Sequence, residues 1–151
     1  MTSFSTVEQA AELPIREVAR RTGFSRATLR YYESIGLVAP VARDDSSGHR
    51  RYDERAVQML EALACLRTTG MGVEAMRAYL HNMERGHVAA ADQRRLFEEH
   101  HARVMREIEQ LHTRARYLDG KVRLWAAREA GDADGQAGAI EDLGVLTEAL
   151  R

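Results

Sequence analysis

A chain of 151 residues, 44% apolar and 30% charged, has enough apolar content for a compact domain with an extension, while only 6% aromatics argues against one large core. A formal net charge of -1 excludes a uniformly basic DNA-coating protein, and a single cysteine, Cys65, excludes an internal disulfide and fits a reducing cytoplasm. Met1 to Glu12 carries no basic start followed by an apolar run, and no segment approaches the roughly 20 apolar residues of a membrane span; a cytoplasmic protein without a membrane partner is expected.

Residues 1–13 read as a flexible leader, with Pro14 suited to the first turn of a helix. Ile15, Val18 and Ala19 recur at helical spacing until Gly23, a residue that takes the positive φ of a helix end. Ser25 then restarts the chain as an N-cap, its hydroxyl able to accept from an amide two or three residues on. Two helices so closely joined cross steeply, as in a helix-turn-helix, whose second helix enters the major groove. Gly36 ends that helix, and Val38 to Tyr52 forms a hairpin whose tip, Asp44 to Gly48, is turn chemistry.

A third helix is expected from about Glu54 to Thr69, with Ala56, Met59, Leu60, Leu63 and Leu66 or Arg67 repeating at three and four. Gly70 and Gly72 break it, and a fourth follows from about Val73 to Arg85, presenting Val73, Met76, Tyr79 and Leu80. A head domain is thus placed at 14–86. Over 87–130, Phe97, His101, Val104, Ile108, Leu111, Ala115, Leu118, Val122 and Trp125 alternate gaps of four and three, the seam of a coiled coil. About forty residues at 1.5 Å rise extend roughly 60 Å, too far for the head to cover, so the stripe calls for a second copy. Residues 131–151 form an acidic tail in which Ile140 to Leu150 can add a short helix.

Charge is uneven along this layout. From Arg16 to Arg51, Arg16, Arg20, Arg21, Arg26, Arg30, Arg43, Arg50 and Arg51 face only Glu17, Glu33, Asp44 and Asp45. After Trp125 the acidic Glu129, Asp132, Asp134, Glu141, Asp142 and Glu148 predominate. A positive head with a negative tail suits a protein that meets phosphates at one end.

Thr28-Leu29-Arg30-Tyr31-Tyr32-Glu33, then Ile35-Gly36-Leu37, then Gly48-His49-Arg50-Arg51-Tyr52, resemble in order and separation the MerR family of bacterial transcriptional regulators. The likeness runs from about Ile15 to about Tyr79. It implies a mainly α fold, with a winged helix-turn-helix head, a small β-hairpin and a long antiparallel coiled-coil dimerisation helix. It further implies a homodimer on an inverted-repeat promoter site, working with RNA polymerase at the promoter by bending and untwisting the DNA in response to an effector. Such deformation costs several kcal/mol, which head and wing contacts must offset.

Within the head, Ser25, Arg26 and Thr28 at the start of the second helix are the expected readers of base edges. Arg26 suits two guanine acceptors at once, or else a phosphate. Arg30 and Tyr31 are implied by the resemblance as contacts to the DNA backbone, and Arg50 as the wing arginine on phosphate. Arg51 either joins it or is solvated, and Arg16 adds a contact from the first helix, with Arg20 and Arg21 as further candidates. Relatives often carry a hydroxyl residue where this chain has Pro14, which offers no side-chain acceptor.

The effector is less legible. With no cysteine after Cys65, thiolate metal sensing and cysteine-held iron–sulfur sensing are not expected, and no cofactor or metal site is evident. His81, His87, His100, His101 and His112 read as packed or solvated rather than ligating. Tyr79, Phe97, Tyr117 and Trp125 either line a small-molecule pocket or belong to the core. Cys65 to Met71 is similar to the third-helix region of a thiol- and aldehyde-responsive branch of the family, which makes Cys65 the candidate thiol sensor of an electrophile, or else an inert buried thiol. No phosphate loop, nucleophile elbow or acid–base cluster points to an enzyme. The alternative to an effector-driven regulator is an effector-independent architectural or phage-type DNA-bending protein.

Overall fold

The computed structural model describes residues 12–151, so the expected leader lies, up to residue 11, outside the described residues. Two compact units divide between Leu96 and Phe97. The first begins with strand β1 (Leu13–Pro14), which runs straight into helix α1 (Ile15–Thr22). Leu13, expected in the leader, instead pairs with Tyr52, and Pro14 pairs with Arg51 on β2 (Arg51–Tyr52). Pro14 is at once a strand residue and the N-cap of α1, and it supplies no side-chain hydrogen bond there.

Gly23 closes α1 with φ 74°, its amide donating to the Ala19 carbonyl, and Ser25 caps helix α2 (Arg26–Ser34). Val18, Phe24, Leu29 and Tyr32 from this pair are buried together with Tyr52 of the wing and with Val57, Leu60 and Leu63 of helix α3 (Glu54–Thr68). Val57, absent from the expected apolar stripe, is fully buried, while Ala56 and Met59 are only partly so. Helix α4 (Val73–Arg85) contributes Met76 to the same core. Burying each such side chain is worth about 1.5–3 kcal/mol, which this interlocked set shares among all the head elements. Arg21 adds a lateral tie from α1 to α3, 2.9 Å from Glu61 and 3.7 Å from Glu54.

A 3-10 turn, Gly86–Ala89, leads into helix α5 (Ala90–Ala130). In the second unit the tail departs from expectation: it is a helix of 17 residues, α6 (Ala133–Ala149), capped by Asp132, whose carboxylate accepts from the Gly135 amide. The expected helix is a short one over Ile140 to Leu150, because Gly135 and Gly138 ahead of it lower helix propensity. Packing overrides that propensity, because Leu143 and Ala139 bury themselves against Leu124, with Tyr117 alongside. Gly120 is buried at this contact, where a Cβ would lie 2.8 Å from Leu143 Cδ2.

Candidate nucleic-acid interface

Helix α2 shows its chemistry on one side. Leu29 and Tyr32 are buried, whereas Arg26, Arg30 and Tyr31 are exposed, so at about 100° per residue the two arginines, four positions apart, stand on the same outward face. Neither arginine has a hydrogen bond or ion pair among the described residues, and Tyr31 is 53% exposed. Ser25 Oγ accepts from the Thr28 amide at 3.0 Å and lies 2.9 Å from Thr28 Oγ1. Both hydroxyls are therefore spent on the helix start, and Thr28 is half-buried.

The wing is fastened to the same helix. Arg50 Nε donates to Glu33 Oε2 at 2.8 Å, with the two side chains only 19% and 17% exposed. At the tip, Asp44 Oδ1 accepts from the amides and hydroxyls of Ser46 and Ser47, which hold its carboxyl well below the ordinary carboxylate range. The hairpin ladder comprises the Arg43–Arg50 bridge, the Asp44 amide on the His49 carbonyl and the Arg51 amide on the Ala42 carbonyl. Alternation along the strand turns Arg51 away from Arg50 and Tyr52. It reaches Asp44 at 3.7 Å and lines a groove of about 770 Å³ shared with Val38, Met59, Tyr79 and Met83. Ser25, Arg26, Thr28, Arg30 and Tyr31 thus share α2 and its cap, Arg50 is tied to that helix through Glu33, and Arg51 turns to the groove instead.

On α1, Arg16 is exposed and has no ion pair among the described residues, Arg20 binds Glu17 within its own helix, and Arg21 is committed to α3. Arg67 of α3 was not foreseen: its guanidinium lies 5.6 Å from the Phe24 ring centroid, beside Ser25 and Thr28 at the start of α2. No local signal announces such a contact across more than forty residues, and the same is true of Glu33 with Arg50.

A model of the MerR helix-turn-helix regulatory proteins matches residues 13–83, and a Haemophilus influenzae HTH-type transcriptional regulator is 33% identical over 103 residues, 68% of this chain and 73% of its own length. The chain belongs to the MerR family. A further likeness is to the Bacillus subtilis HTH-type transcriptional regulator AdhR, 46% identical over 65 residues, which are 43% of this chain. The chain spans 46% of AdhR's length. Among solved structures, HiNmlR, a MerR family regulator lacking the sensor domain and bound to promoter DNA, superposes with a TM-score of 0.60 at 28% identity, covering 79% of this chain and 94% of that one.

The apolar stripe along α5, expected from its spacing to be a dimer seam, is the second surface of interest in this MerR protein. Ile108, Leu111, Leu118, Val122 and Trp125 are all exposed, Val122 at 67%, and Phe97, His101 and Ala115 lie on the surface too, with Val104 intermediate. Helix α6 does not cover this stripe. It packs on Tyr117, Gly120, Leu124 and Ala127, which fall on nearly the opposite side of α5 from Leu118, Val122 and Trp125.

Cys65 is exposed, which overturns the buried reading of this thiol. It does not line the recess formed by Ala64, Arg67 and Thr68. Tyr117 is taken up by the α5–α6 contact and by Lys121 over its ring, while Trp125, 61% exposed, carries Arg128 at 4.7 Å. Among the described residues no three His, Cys, Asp or Glu side chains group as metal ligands, and no helix is long and apolar enough to cross a membrane.

Proposed function

We propose that this MerR-type regulator acts as a homodimer on an inverted repeat in promoter DNA, presenting α2 to the major groove and the wing to the flanking backbone. The observation that carries the reading is the outward pair Arg26 and Arg30, unpaired beside an Arg50 already fastened by Glu33. Arg26 is the base reader. Arg30, Tyr31, Arg50 and Arg16 take phosphates, and Ser25 and Thr28 support the helix start rather than spend their hydroxyls on bases. The promoter-bound state of HiNmlR supports double-stranded DNA as the partner.

The dimer is supported by how little the second unit buries within itself. Leu124, Ala139 and Leu143 are a small core for a helix pair, and an exposed stripe four heptads long gains its burial from a second copy. The antiparallel pairing, the DNA distortion that serves RNA polymerase and the electrophile response through Cys65 belong to the same proposal. Exposure of the thiol is consistent with reagent access. The test is sedimentation of the purified chain, followed by footprinting on a duplex selected from a random library. A dimer protecting two half-sites about one helical turn apart supports the reading. A monomer, or protection independent of sequence, refutes it. For the thiol, Cys65→Ser should abolish any electrophile-dependent transcription, and an unchanged response removes that part.

A further inference from the structure

Glu33 is a carboxylate on the helix offered to DNA, where a negative charge ordinarily repels phosphate and its loss tightens binding. Here the carboxylate is engaged: among the described residues its one hydrogen bond is from the Nε–H of Arg50, at 2.8 Å, from the side of the wing. A guanidinium has five N–H donors in a planar fork, so a partner held at Nε leaves both terminal nitrogens available and fixes the plane in which they point. Those terminal nitrogens have no hydrogen bond among the described residues. Tyr52, two residues along the strand and so on the same face by alternation, is buried in the core at 1% exposure.

We infer that Glu33 is a positioning residue for DNA binding: its carboxylate holds the Arg50 guanidinium by Nε so that the terminal nitrogens meet a phosphate without further ordering. This rests on the proposed contact between Arg50 and DNA, and it reverses the sign expected of an acidic residue at such a surface. Ordering a long side chain is a cost of association, and a preset arginine has already met it on folding.

The test is a titration of a library-selected duplex, over a range of salt, with the wild-type chain, Glu33→Ala, Glu33→Gln, Arg50→Ala and the Glu33→Ala/Arg50→Ala pair. Glu33→Ala should weaken binding about tenfold, the scale of one charge-assisted hydrogen bond. Glu33→Gln should restore most of the affinity, because its amide oxygen still accepts from Nε–H. In the Arg50→Ala background Glu33→Ala should cost nothing further, and each single removal should lower the salt slope by about one phosphate contact. Unchanged or tighter binding by Glu33→Ala, or losses that multiply in the double variant, overturns the inference. Wild-type binding by Arg50→Ala removes the underlying contact instead, a distinct result.

Should Glu33→Ala melt below the assay temperature, Arg50→Lys carries the test. A single ammonium cannot serve carboxylate and phosphate in the same fixed plane, so that variant should bind several-fold more weakly despite its retained charge. Wild-type affinity there also overturns the inference.

Discussion

Gly120 on α5 and Leu143 on α6 approach so closely that a Cβ built on the glycine would stand 2.8 Å from Leu143 Cδ2 and 3.1 Å from its Cγ. A glycine inside a helix costs about 1 kcal/mol relative to alanine, so this one is retained against propensity for the approach it allows. Gly120→Val should destabilise the chain by about 1–3 kcal/mol through overpacking. Gly138→Ala, on α6 with open space around its Cβ position, should stabilise it by up to about 1 kcal/mol. Thermal melts of the two variants give opposite signs if the contact is as described.

Tyr52 is 1% exposed and its hydroxyl has no hydrogen-bond partner among the described residues. Burial pushes its phenol above the ordinary tyrosine value, with the Glu33 charge adding to the effect. Because the ring supplies the packing and the hydroxyl is desolvated without return, Tyr52→Phe should raise stability by about 1 kcal/mol. A melting temperature lowered by this substitution would show that the hydroxyl has a partner in solution.

Leu118 and Val122 are 64% and 67% exposed on the seam. Charges placed there by Leu118→Glu and Val122→Glu would have to be desolvated in any pairing of two copies. The double variant should sediment as a monomer and lose helicity by circular dichroism. A dimer that persists would place the self-association surface elsewhere.

Arg26 and Arg30 share a face of α2 but differ in expected role. Arg26→Ala should cost about 1–3 kcal/mol on the selected duplex and relax preference at one base pair. Arg30→Ala should weaken all duplexes alike and reduce the salt slope by about one. Binding to selected and scrambled duplexes at several salt concentrations separates the two, and identical behaviour would contradict the division.

Asp44 has a folded pKa lowered by the four donors of Ser46 and Ser47. A depressed carboxyl contributes stability that is present above its unfolded value, about 3.9, and is lost as pH falls through the lower folded value. The Ser46 and Ser47 amide resonances should therefore hold their native shifts at about pH 4 and move only in stronger acid. Movement centred at the ordinary aspartate value would mean the turn is not closed by this carboxylate.

What could be read from the sequence follows the range of each interaction. Gly23, Ser25 and Gly70 act on their immediate neighbours, and the helices they bound lie where their chemistry puts them. The α5 helix and its exposed apolar stripe are legible for the same reason, since a helix repeats its own geometry. Glu33 with Arg50, Arg21 with Glu61 and Arg67 with Phe24 join residues 17, 40 and more positions apart, and nothing local encodes such partners. The tail suggests only a short helix over Ile140 to Leu150 because Gly135 and Gly138 lower helix propensity ahead of it, whereas burial of Ala139 and Leu143 on α5 extends α6 back to Ala133. Leu13 is indistinguishable from the leader in sequence because a two-residue strand before a proline carries no periodicity, and only its pairing with Tyr52 reveals it.

That last pairing also governs where two molecules can join. With β1 on one flank and the Ala42–Arg43 stretch on the other, β2 sits at the centre of the little sheet. One outer edge then ends in Pro14, which has no N–H to offer, and the other carries the charge of Arg43. Strand-to-strand addition is blunted on both margins, so the β part of the head resists polymerising.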